Sequence, residues 1–111
     1  MLIYKILLPA EWSQFDATGR FDGSPLDHSS GFVHCSSRAQ VAATAVRFFA
    51  PEPALVVVAL DTRRLGAALR WEDTPDGQSF PHVYSALPLD AVVAVHPVAG
   101  ASSVDRALPQ D

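Results

Sequence analysis

The run Ala54-Leu55-Val56-Val57-Val58-Ala59-Leu60 places an apolar side chain at every position. Successive side chains on a strand point to opposite faces, so a strand of this composition has to be covered on both sides, as only an interior strand is. It is of strand length and far short of the ~20 apolar residues that cross a bilayer. Two further stretches have strand character, Leu2 to Leu8 and Ala91 to Val98, and Ala68 to Glu72, Phe80 to Tyr84 and Leu87 to Leu89 add shorter ones. The connections between the later strands are turns. Asp61 to Gly66 and Asp73 to Ser79, the latter with the hairpin pair Asp76-Gly77, are too short for a parallel crossover. The chain is therefore predicted to be α+β, a small antiparallel two-sheet domain with two helices in its N-terminal half.

Those helices have start and stop signals. Pro9 suits a first helical turn, Trp12 and Phe15 lie three apart on one side, and Gly19 ends the segment. The second begins at Ser37-Arg38-Ala39-Gln40, a Ser-x-x-Gln capping box, and stops before Pro51. Its expected apolar face is Val41, Ala42, Ala45, Val46, Phe48 and Phe49. Directly before it, Gly31 and the short apolar run Phe32-Val33-His34-Cys35 predict a strand that ends on a helix N-terminus. Such a junction offers backbone N–H groups and the positive helix end to an anion. Arg20 to Asp27, dense in turn formers, is expected to be a surface loop.

At 111 residues the chain is one domain with a sizeable core. Residues 1–98 form it in this reading, and 99–111 are a small polar tail with little packing. The formal charge of −4 excludes non-specific nucleic-acid binding, which needs a basic surface. Leu2 to Leu8 carries Lys5 in its middle and lacks the marks of a signal peptide. With a single cysteine, Cys35, no internal disulfide can form, and the expected location is the cytoplasm.

Two histidines stand out. His34 and His82 sit on strand-like segments with a hydroxyl-bearing residue two positions on, Ser36 and Tyr84, and a period of two puts each pair on one face. If the two segments meet, with Glu72 or Tyr84 orienting a ring, they could hold a phosphate or act as acid and base near neutral pH. A histidine satisfied inside the core is the plain alternative for each. Cys35 alternates with His34 on the strand and reads as a small core residue rather than a nucleophile. No His-x-x-x-His spacing supports a metal. Lys5 admits two readings, a strand lysine reaching to water or a cation at a pocket floor. Trp71 is expected on the apolar side of its strand.

Ile3-Tyr4-Lys5-Ile6, Trp12, Asp27, Gly31-Phe32-Val33-His34-x-Ser36 with Gln40, Arg70-Trp71-Glu72 and Phe80-Pro81-His82-Val83-Tyr84 together resemble the small bacterial family catalogued as domain of unknown function 952. Ser30 stands where that pattern has an acid. The resemblance implies a fold like that of the ADP-ribosyltransferases and RNA 2′-phosphotransferases, which bind NAD in a cleft between two small sheets. On that analogy Lys5 corresponds to the first-strand group that grips NAD, His34-x-Ser36 to the second-strand motif, and Glu72 comes nearest to the catalytic glutamate. The resulting expectation is a polar, His-lined pocket for NAD, ADP-ribose or another phosphorylated small molecule. Its catalytic candidates are His34, Glu72 and His82, and Lys5, Ser36, Gln40, Trp71 and Tyr84 are its binding wall. The alternative is a module that binds a ligand or a protein without catalysis.

Overall fold

The computed structural model describes residues 1–110. In chain order the regular elements are β1 (Leu2–Leu7), α1 (Pro9–Thr18), β2 (Arg20–Phe21), α2 (Pro25–Ser30), β3 (Val33–His34) and α3 (Arg38–Phe49). They continue with β4 (Leu55–Asp61), β5 (Leu69–Asp73), β6 (Ser79–Val83), β7 (Leu87–Pro88), β8 (Val92–Val98) and α4 (Val104–Ala107). All named strand pairs are antiparallel, in two three-stranded sheets, β1-β4-β8 and β3-β6-β5, and a two-stranded ribbon of β2 and β7. None of the described helices is long and apolar enough to cross a membrane.

β4 is the interior strand its composition demands, buried at all seven positions. Val56, Val58 and Leu60 face a core shared with Phe15, Phe21, Val33 and Val83, beneath α1 and the smaller sheets. Leu55, Val57 and Ala59 face α3 and the C-terminal segment through Val41, Ala45, Val104 and Leu108. Each such aliphatic side chain contributes roughly 1.5–3 kcal/mol on full burial, which is why this strand sets the layering.

Three expectations need correcting. Three helices, not two, precede β4, because Ser24 to Ser30 is no loop. Pro25 occupies the first turn of α2, Ser24 caps it, and Asp27 completes the box by accepting from Ser24 N–H at 2.8 Å. The polar face of α3 is wider than its sequence suggests, with Val46 and Phe48 more than half exposed. The tail also packs. Arg38, 7% exposed, donates to the carbonyls of Asp105, Leu108 and Pro109 and to the Asp105 carboxylate, and this clamp seats Val104 and Leu108 against α3.

Candidate functional site

β3 is only two residues long, yet it places His34 directly opposite His82 on β6. Directly opposed residues on antiparallel strands share a face. The two rings therefore lie together, centroids 5.6 Å apart and planes inclined at 68°. Phe32 lies against both, stacked on His82 at 4.0 Å and 4.5 Å from His34.

Each ring is held by a carboxylate at the same nitrogen. Asp27 Oδ1 is 2.7 Å from His34 Nδ1, and Glu72 Oε1 is 2.7 Å from His82 Nδ1. Glu72 reaches His82 because Arg70, not Glu72, is the residue opposite it, so the contact is diagonal across β5 and β6. Neither Nε2 bonds a protein group among the described residues, and neither is sealed from solvent. A carboxylate at Nδ1 takes the ring N–H there and leaves the Nε2 lone pair free in the neutral ring.

The electrostatics of the two pairs differ. Asp27 is 2% exposed and serves four partners: Lys5 Nζ, His34 Nδ1, His34 N–H and Ser24 N–H. Burial pushes its carboxyl up, but the His34 hydrogen bond and the Lys5 charge prevail and hold it well below the usual carboxylate range. Glu72 stands nearer to solvent and accepts the Tyr84 hydroxyl at 2.7 Å. That bond and the one to His82 lower its pKa, and the Tyr84 hydroxyl is raised in turn.

Both imidazoles open on a cleft of about 630 Å³ bounded by β1, the flank of α3, the start of α2 and the tip of the β5–β6 hairpin. Ala39, Ala43, Thr44, Arg47 and Phe48 of α3 line it, as does Phe80. The first turn of α3 borders this space through Ala39 and Gln40. From there α3 presents a side stripe to the cleft, and Gln40 turns back to accept from Ser37 N–H.

Of the residues singled out in the sequence, His34, His82, Lys5, Ser36 and Gln40 border the cleft, and Glu72, Tyr84 and Trp71 do not. Glu72 and Tyr84 act on it only through His82. Trp71, expected on the apolar side of its strand, is 41% exposed, although Leu69, two positions earlier, packs partly buried against the core. Lys5 neither reaches to water nor stands ready for a ligand. Its ammonium spends its donors on both Asp27 oxygens and the His34 carbonyl. Gln40 is likewise engaged at both amide ends, by Ser37 N–H at 3.0 Å and the Ser79 carbonyl at 2.7 Å. Ser36 Oγ donates to Thr44 Oγ1.

Sequence reasoning underrated Asp27 and passed over Phe32 and Arg47. The Asp27 signal was present in Ser24-Pro25-Leu26-Asp27, whose capping-box spacing fixes that carboxylate at a helix start just before the His34 strand. Nothing local marks Phe32 as the ring against both imidazoles, since that contact depends on β6.

A family model described as "Protein of unknown function (DUF952)" matches residues 6–95. The crystal structure of protein CC0527 from Caulobacter crescentus is similar, with 40% identity, 88% of this chain and 86% of that chain covered, and a TM-score of 0.84. The solution NMR structure of CC0527 is similar at 40% identity, with 88% and 84% covered and a TM-score of 0.78. No curated protein matches the chain.

Proposed function

This chain belongs to the family described as protein of unknown function (DUF952), and from that premise we propose that it binds a phosphorylated small molecule in the cleft beside His34 and His82. One observation carries the reading: two imidazoles, each fixed by a carboxylate at Nδ1 and without a protein partner at Nε2, belong to residues that line one cavity. Binding pockets are mostly apolar with a few convergent polar groups, and this one has that character. Leu26, Phe48 and Phe80 supply apolar wall, and Arg47 supplies a cation. Lys5 neutralises Asp27 at the floor, which removes most of the repulsion an anion would meet there. The ADP-ribosyltransferase-like comparison is part of this proposal and is supported by a cleft between small sheets with Lys5 and His34 near its base. It puts NAD and ADP-ribose first among the ligands.

Thermal shift with NAD, ADP-ribose, nucleotides and sugar phosphates tests the reading. A ligand at a hundredfold excess over its Kd stabilises by about 2.7 kcal/mol, a rise on the order of 10 °C in Tm for a domain of this size. The expected result is such a rise with at least one phosphorylated compound, accompanied by movement of the His34 and His82 ring resonances. A flat panel with unmoved rings overturns it.

A further inference from the structure

The geometry points to acid–base hydrolysis of a small phosphodiester at this site, one imidazole taking a proton from water as the other gives one to the leaving oxygen. This rests on the binding reading and adds a reaction to it.

Three features carry the inference. The first is duplication. Asp27 comes from α2 and Glu72 from β5, yet each meets the Nδ1 of its own ring at 2.7 Å and leaves Nε2 as the working nitrogen. A histidine kept only for core packing needs its polar atoms satisfied, whereas these two are satisfied on one side and open on the other. Held this way, a neutral ring is a base at Nε2, and a protonated ring is an acid whose charge the carboxylate stabilises. The second is separation. The rings do not bond one another, with centroids 5.6 Å apart, and both residues line the same cleft, within reach of one bound group.

The third is the nucleophile. Cys35 is buried and its thiol is pushed up to about 12 by burial, which leaves almost no thiolate to attack. Ser36 is buried and its hydroxyl is engaged with Thr44. With neither of these free to attack, water is the entering group. Its oxygen bonds to phosphorus while its proton passes to the neutral Nε2. The bond from phosphorus to the leaving oxygen breaks as that oxygen takes the proton of the other Nε2–H. A phosphomonoester and an alcohol result, and solvent returns one proton between the rings. No oxidant or reductant enters the balance.

The same proton count selects the substrate. An acid and a base together hold one proton beyond neutrality, and with Lys5 offsetting Asp27 that proton offsets the Glu72 carboxylate, which favours a substrate of low charge such as a diester monoanion. A phosphomonoester dianion would call for two imidazolium rings and leave no base.

The test uses the intact protein with nucleoside 2′,3′-cyclic phosphates, followed by ³¹P NMR for turnover and by ¹⁵N NMR of the histidine rings for binding. The expected result is conversion to a phosphomonoester with a bell-shaped pH dependence, reduced about 10²- to 10⁴-fold by either His34→Gln or His82→Gln. Glu72→Gln, a change at a positioning residue, is expected to displace the pH profile. Ring signals that move with the cyclic phosphate while its ³¹P signal stays intact across the pH range would overturn the reaction and leave the binding proposal standing. Rings unmoved by the cyclic phosphate or by any phosphomonoester would overturn both.

Discussion

Lys5 Nζ lies 3.0 Å from Asp27 Oδ2 with both side chains almost wholly buried, so a strand lysine and a helix-capping aspartate form an ion pair beneath the two histidines. Breaking one side of such a pair strands a charge in the interior, at a cost of about 3–5 kcal/mol. Lys5→Met is expected to lose that much in urea unfolding at neutral pH. Because Lys5 also holds the His34 carbonyl, the His34 ring signals should broaden or shift while those of His28, on the surface, do not.

The same pair gives stability a sign with pH. The folded Asp27 pKa is depressed below its ordinary 3.8, so the unfolded chain binds the proton more readily. Its contribution is fully present above that ordinary value and drains away as pH falls below it. Asp27→Asn is expected to be less stable at pH 7 and to have a flatter stability profile between about pH 5 and pH 2 than the parent protein. Urea midpoints measured across that window check it, and parallel profiles would contradict the assignment.

Tyr84 and Glu72 supply a third expectation. The tyrosine hydroxyl is the foremost influence lowering the Glu72 carboxyl, ahead of the His82 hydrogen bond. Tyr84→Phe should therefore raise the Glu72 pKa towards the ordinary glutamate value while the fold survives, since Tyr84 is 42% exposed. Carboxyl ¹³C titration reads this directly. An unchanged Glu72 would mean that the hydroxyl bond is not formed in solution.

How much of this was legible in the chain depends on where each signal lives. β4 was plain because an unbroken apolar run has one structural use, whereas strand period gave only the faces of His34 and His82, and their meeting, a condition in the sequence, is supplied by the β3–β6 register. α2 was hidden by composition: Ser, Pro, Asp and Gly suit turns and helix starts alike, and six residues are too few to show a period. The roles of Lys5, Gln40 and Arg38 were illegible for a different reason. Each is settled by a partner 22 or more positions away, Asp27, Ser79 and Asp105, and local pattern carries no information about such distances. Arg38 in particular read as one polar residue inside a capping box.

Cys35 is expected to be chemically silent. It is 4% exposed and its thiol is pushed up to about 12, so almost no thiolate exists at neutral pH. Iodoacetamide at pH 8 should leave the native protein unmodified by mass spectrometry and label it once in denaturant. Ready labelling of the native state would show that the β3 layer opens, which would also undercut the fixed His34 geometry.

Arg38 makes the last prediction, because its guanidinium joins the first turn of α3 to the end of the chain. It donates to Pro109 O at 2.7 Å, to Asp105 Oδ1 at 2.8 Å and to Asp105 O at 3.0 Å, from a side chain 7% exposed. Truncation to alanine removes these donors together and leaves carbonyls near Val104 and Leu108 without partners, each costing about 1–3 kcal/mol where water cannot replace the bond. The loss should appear first as local opening: amide exchange should speed up in residues 101–108 and along the α3 face that carries Val41 and Ala45, which those residues cover. The histidine pair is held by Asp27 and Glu72 and shares no hydrogen bond with this clamp, so its ring signals should hold while the tail frays. If Arg38→Ala leaves tail exchange unchanged, the hydrogen bonds contribute nothing and Val104 and Leu108 alone hold the segment down. If it disturbs His34 and His82 equally, the C-terminal segment is part of the framework that keeps the site in register.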